Sequence, residues 1–299
     1  MSEGILRQNL GERGEFQRVY LMYLLFETPP QLPDIETMCR KLAESFPEGI
    51  EPAGQQDAPE NQILFSLPSH LVSYQEGDAP ALLLMGTVEP LGQGLIAPIQ
   101  RTQQWECPES EELLKKARYQ LLISDFMAAG LPYLERCEIL TRWSEAAVRL
   151  FPGCLGVWFV SSGKLVTPQQ ILENPYEDSD RFLLGGMNIR YFAVDGTKDF
   201  LVDTLGLYAV GIADVQYHFH DLNPDDVVDH AFRVASYQFA EGQPIENGET
   251  VEGFSPKKPG GTDSAQIQWP CSYELSLIQP RRRVLDIQPG RFAAGRRRK

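Results

Sequence analysis

Histidine is scarce in this 299-residue chain, with four copies, and cysteine is thinly spread, with five. Cys39, Cys107, Cys137, Cys154 and Cys271 are odd in number and never closer than seventeen residues apart. That spacing excludes a disulfide framework and zinc-knuckle pairs, and it predicts reduced thiols in a cytoplasmic protein. No Gly-x-Gly-x-x-Gly follows a strand-like run, no phosphate-binding loop is present, and no Gly-x-Ser-x-Gly elbow occurs. Dinucleotide, P-loop and α/β-hydrolase chemistry therefore lack their signatures. A long apolar run is missing too. Val19–Phe26 is eight residues, against the roughly 20 needed to cross a bilayer. With no basic flank or small-residue cleavage site, it reads as a buried β-strand, and no membrane span is expected.

Basic side chains are the minority, 27 against 41 acids, for a net charge of −14. The deficit is uneven. Residues 281–299 hold eight Lys/Arg against Asp286 alone, or +7, which leaves 19 basic and 40 acidic groups elsewhere, or −21. A body of that sign repels phosphate backbones, so no broad nucleic-acid surface is expected.

Hydrophobic periodicity orders the rest. Residues 1–16 are polar and read as a flexible N-terminal segment, followed by an α/β portion over 17–105. There a strand at 19–26 leads to a helix carrying Ile35, Met38, Cys39, Leu42 and Phe46 at helical spacing. Short strands are expected at 63–67, 81–88 and 95–100. Residues 106–152 read as a helical pair: one helix from Ser110 to Ala129, apolar around most of its circumference, and a second from Tyr133 to Phe151. Asp125 would then lie inside the first helix, paired with Arg118 one heptad earlier. A C-terminal α+β module follows over 153–290, with strands at 154–160, 188–194, 205–210 and 215–220, a helix near 224–241 and a hairpin. Trp269–Tyr273 reads as a packed strand, the stretch Gly253–Asp263 as a loop, and 291–299 as a basic tail. The class predicted is α+β with largely antiparallel pairing, a central helical pair and a C-terminal strand–strand–helix–hairpin module.

The richest local chemistry is Asp214-Val-Gln-Tyr-His-Phe-His220 followed by Asp221-Leu-Asn-Pro-Asp-Asp226. In a strand, Val215, Tyr217 and Phe219 share the core side, and Gln216, His218 and His220 share the wetter one. Two imidazoles about 7 Å apart on one surface suit a metal. A polar outer face on a half-buried strand accounts for them equally. Asn223 caps a helix, Pro224 suits its first position, and Asp225 and Asp226 complement its positive end. On that helix His230 falls roughly 130° from the apolar stripe, on the expected solvent face. The candidate functional surface is Gln216, His218, His220 and Asp221. A divalent metal on His218 and His220 would borrow a carboxylate from Asp203, Asp214 or Asp221, and His70 has nothing local tying it to the pair.

Over about residues 200–290 the chain resembles an uncharacterised bacterial family, one of the domains of unknown function. The resemblance rests on Asp203-Thr-Leu-Gly-Leu-Tyr-Ala-Val-Gly211, the histidine stretch with Leu222-Asn-Pro224, and Glu246–Gly253. Trp269–Glu274 and Arg283–Gly290 extend it. It implies a cytoplasmic bacterial protein with the histidine stretch as signature, and no reaction. The expectation is a non-enzymatic acidic binding protein without a cofactor, an adaptor or an immunity-type protein masking a basic partner. The alternative is a metal-assisted hydrolase built on His218, His220 and a carboxylate.

Overall fold

The protein is described by a computed structural model over residues 13–54, 62–254 and 267–295. The chain divides into two compact units, Gln17–Gly186 and a second assembled from residues up to Phe16 together with Met187 onward. Residues 153–186, expected with the C-terminal module, belong to the first unit.

The first unit contains β1 (Leu21–Phe26), α1 (Ile35–Leu42), β2 (Glu51–Ala53), β3 (Ile63–Tyr74) and β4 (Gly77–Pro90). It continues with α2 (Pro98–Arg101), α3 (Ser110–Lys116), β5 (Tyr119–Phe126), α4 (Tyr133–Leu150), β6 (Gly156–Phe159), β7 (Lys164–Val166), α5 (Pro168–Leu172) and α6 (Leu183–Gly186). Its sheet runs β2-β3-β4-β5-β1-β6-β7, antiparallel throughout. Two expectations fail here. Residues 95–100 form no strand, and Pro98 instead opens α2. The helix expected over 110–129 ends at Lys116, and 119–126 is β5, paired with β1 on one side and β4 on the other. An apolar run buried on both faces has no period of its own, so helix and interior strand look alike in sequence. The helical pair is thereby reduced to the short α3 and the long α4.

Asp125 shows the consequence. It lies buried in β5, accepting from Tyr20 N (2.6 Å) and from Arg136 Nε of α4 (2.6 Å). Arg118 instead donates to the carbonyls of Lys115 and Ala117. His70 bridges Glu135 and Glu48 within the same unit.

The second unit contains β8 (Asn188–Ala193), β9 (Phe200–Leu205), β10 (Asp214–Phe219), α7 (Pro224–Ala240), β11 (Thr250–Gly253), β12 (Ile267–Leu275) and β13 (Arg283–Ile287). The strand expected at 205–210 is displaced: β9 ends at Leu205, and Leu207–Val210 is a 3-10 turn. The sheet runs β11-β12-β13-β10-β9-β8, antiparallel except for the parallel β10–β13 pair. α7 begins as its sequence specifies, with Asn223 Oδ1 accepting from Asp225 N and Pro224 in the first turn. It packs on β8, β9 and β10. Val215, Tyr217 and Phe219 are fully buried. Each large apolar side chain so buried contributes about 1.5–3 kcal/mol, and a one-residue slip would turn all three to the opposite face. Register is thus fixed where the candidate site begins. Of the loop expected at 253–263, residues 255–263 lie outside the described residues, as do 1–12 and 296–299 of the terminal segments.

Candidate functional site

Strand alternation places Gln216 and His218 opposite the α7 face, as expected, but that face is not wet. Arg190, Asp203, Gln216, Asp286 and Ser272 form one in-register row across β8, β9, β10, β13 and β12. Segment 277–282 caps this row. Leu277 N donates to Gln216 Oε1 (2.6 Å), and Gln216 Nε2 donates to Asp286 Oδ1 (2.8 Å). Gln216 is 1% exposed, which removes it from the expected functional surface. Its amide serves the fold because a second polar layer, supplied from sixty residues downstream, covers the sheet.

The same layer absorbs Asp203 and Asp214, two of the three acids that could have completed a metal site. Asp203 receives Arg190 Nε and Nη2 (2.9 and 2.6 Å) and Arg282 Nη2 (2.7 Å). Asp214 receives Arg282 Nε (2.9 Å), with Thr204 Oγ1 and Leu207 N completing its shell. Burial alone would raise the Asp203 carboxyl, but two guanidiniums outweigh it and hold it below the ordinary value. Asp214 has one guanidinium and the charge of Asp203 nearby, so burial wins and its carboxyl is raised. Arg282, one of the eight basic residues of the 281–299 segment, is thereby committed to the interior.

The two histidines of β10 and its edge diverge. His218 is half-buried, with Nε2 3.6 Å from Asp199 Oδ2, and burial lowers its pKa against the pull of that carboxylate. His220 is more open and turns to Asp221, Nδ1 to Oδ2 at 2.8 Å. The chain after β13 closes over them: Ala294 N donates to His218 O, and His220 N donates to Phe292 O. Among the described residues, no three His, Cys, Asp or Glu side chains are disposed to hold a metal ion.

His230, expected on the solvent face of α7, is 5% exposed. β11 and Phe254 lie along the flank of the helix and widen its buried arc beyond the stripe that the wheel defines. The imidazole packs against Trp269 (ring centroids 5.0 Å), Phe254 (5.6 Å) and, edge-on, Tyr217 (5.7 Å). Its Nε2 lies 2.7 Å from Glu252 O and its Nδ1 2.7 Å from Tyr217 Oη. A carbonyl only accepts, so Nε2 carries the proton and Nδ1 accepts from the Tyr217 hydroxyl. Burial lowers the His230 pKa, in keeping with that neutral tautomer, and drives the Tyr217 pKa far up. Both ring nitrogens are used, so His230 is a bridge between helix and edge strand and has no free position for acid–base work. Gly253 belongs to the same packing: a Cβ there would fall 2.5 Å from the Trp269 indole.

Between α7 and the 244–254 segment lies a groove of about 980 Å³, bordered by Arg233, Val234, Tyr237, Glu249, Val251 and Glu252. From Asp221 to Glu252 the chain has eight carboxylates, all exposed, and Arg233 as its one Lys or Arg. The sequence contained this charge run, but only the helix–strand geometry brings Glu249 and Glu252 of it to the groove, beside Arg233. Thiol chemistry finds no activated group. Burial raises all five cysteines, with Cys107 and Cys271 at about 11 and Cys154 at about 12.

No curated protein and no solved structure matches the chain. Residues 203–288 match the family model described as a domain of unknown function (DUF4261), a segment that opens on Asp203 and encloses Asp214, the histidine stretch, α7 and Arg282.

Proposed function

We propose that the protein is a non-enzymatic acidic binding protein, an adaptor or immunity-type protein that masks a basic surface on a partner protein in the cytoplasm. The observation that carries this reading is the run of eight exposed carboxylates from Asp221 to Glu252 against Arg233 alone, two of which, Glu249 and Glu252, line the α7–β11 groove. Such a field steers cationic partners toward the groove and gives register to their docking. The buried titratable groups of the second unit support it from the other side. Asp203, Asp214, Arg190, Arg282, Tyr217 and His230 are each committed to partners within the fold.

The test is affinity purification from the native host with the wild type and with a variant carrying Asp225→Asn, Asp226→Asn, Glu249→Gln and Glu252→Gln. A basic protein recovered in near-stoichiometric amount by the wild type, and lost both with the variant and on raising the salt, is the expected result. Recovery of the same proteins by both forms would overturn the reading.

A further inference from the structure

The groove has a second property that charge does not require. β11 is an edge strand, and among the described residues it pairs with β12 alone. In an antiparallel pair successive residues turn their backbone groups alternately toward and away from the neighbour. Cys271 N donates to Glu249 O (2.8 Å), which points residue 249 inward toward β12. Val251 and Gly253 then also face β12, while Thr250 and Glu252 face outward. Two observations agree. Thr250 stands opposite Pro270, which has no N–H to offer it. Glu252 O is free to take His230 Nε2 from the α7 side. The outward Thr250 N–H and C=O and the Glu252 N–H remain as a short, open hydrogen-bonding row. An edge of this kind pairs with another chain unless it is blocked. β11 has neither proline nor lysine to block it.

Resting on the acidic-binder reading, we infer that the outer edge of β11 receives an extended, lysine- or arginine-bearing segment of the partner as an added seventh strand of the second-unit sheet. Strand addition uses main-chain bonds for affinity and alternate side chains for specificity. The groove supplies both sides of that recognition. Residues of the incoming strand that point toward α7 meet Val234, Tyr237 and Val251. Those that point away meet the side of the sheet carrying Thr250 and Glu252, where the carboxylate of Glu252 accepts a cation. The His230 bridge fixes the position of Glu252 relative to α7, so the edge is held ready rather than assembled on binding. A second copy of the chain could use the same edge, but two groups of acids would then face each other. Charge complementarity selects a basic occupant.

The test uses the full-length protein and a fluorescein-labelled decapeptide of alternating lysine and valine. It is run beside the same peptide N-methylated at alternate residues and an analogue with glutamate for lysine. Fluorescence anisotropy should show binding of the parent peptide, at least tenfold weaker binding of the N-methylated form, and none of the glutamate form. Amide exchange at Thr250 and Glu252 should slow on addition of the parent peptide. Thr250→Pro removes an outward N–H, together with the Thr250 Oγ1 bond to Gln268 (2.8 Å), but leaves the backbone ladder to β12 and the charge, and should weaken the parent peptide at least tenfold while circular dichroism stays unchanged. Equal binding of the parent and N-methylated peptides would sink strand addition while leaving the acidic-binder reading intact. Absence of binding by either, or elution of the peptide-free protein as a dimer that Thr250→Pro dissociates, would also overturn the inference. The reading of the whole protein would still stand or fall on the host purification.

Discussion

Replacing Arg282 by Met probes the interior of the second unit at its most loaded point. Arg282 is 1% exposed and donates to Asp214, Asp203, Thr204 O and Pro280 O. Without it, Asp203 keeps both bonds from Arg190. Asp214 loses its only cation and remains buried with Thr204 Oγ1 and backbone N–H groups for company. Removing one partner of a buried ion pair typically costs about 3–5 kcal/mol, most of it the uncompensated charge left behind. The slowest-exchanging amides of β9 and β10 report the opening of this unit in the intact protein. They should exchange roughly a hundred- to several-thousand-fold faster, at about 1.4 kcal/mol per factor of ten. The pH sense is fixed. The Asp214 carboxyl, already raised by burial, rises further without Arg282. A raised folded pKa stabilises at low pH and loses that contribution as pH climbs through it, so the deficit should be larger at pH 8 than at pH 5. Adding Asp214→Asn removes the stranded charge and should restore part of the loss, giving a coupling of about 1–3 kcal/mol for neighbours in one network. Exchange accelerated less than tenfold, or a double variant no better than the single, would refute the assignment of Asp214 as the stranded group.

Two further outcomes follow from the histidines. His230 is neutral in the fold with its pKa lowered by burial, so it stabilises above its ordinary value near 6.5, and that contribution drains away as pH falls through it. The stability gap between wild type and His230→Gln should therefore narrow from pH 7.5 to pH 5 in urea titrations; a constant gap would show that the Tyr217–Glu252 bridge does not depend on the neutral ring. Elemental analysis of protein purified without chelator should find only substoichiometric zinc, manganese or iron, unchanged in His218→Ala and His220→Ala. One bound ion per chain that either substitution removes would establish the metal site that the described side chains do not assemble.

Some of this was legible residue by residue. Asn223-Pro224-Asp225-Asp226 announced the start of α7, the Val215, Tyr217 and Phe219 alternation named the core side of β10, and Val19–Phe26 contained β1. Each is a local statement that backbone geometry and burial enforce on neighbouring residues. The resemblance over 200–290 also marked the segment that the family model matches. Three readings failed for one shared reason. β5 reads as helix in the sequence because both its faces are covered. Gln216 reads as surface because its covering segment comes from Leu277. His230 reads as surface because β11 lies against the flank of its helix.

The sequence by itself determined the α+β class, the starts of α1, α4 and α7, the core side of β10, and where the acids are concentrated. Those properties depend on side chains a few positions apart. Tertiary structure alone decided that Arg190, Asp203, Gln216 and Asp286 stand in one row, that Arg282 meets Asp203 and Asp214 from 79 and 68 residues away, and that an open strand edge borders the α7–β11 groove. Hydrogen bonds and ion pairs act over a few ångströms of space whatever the separation in sequence, so partners so remote become predictable only once the pairing register has brought them together.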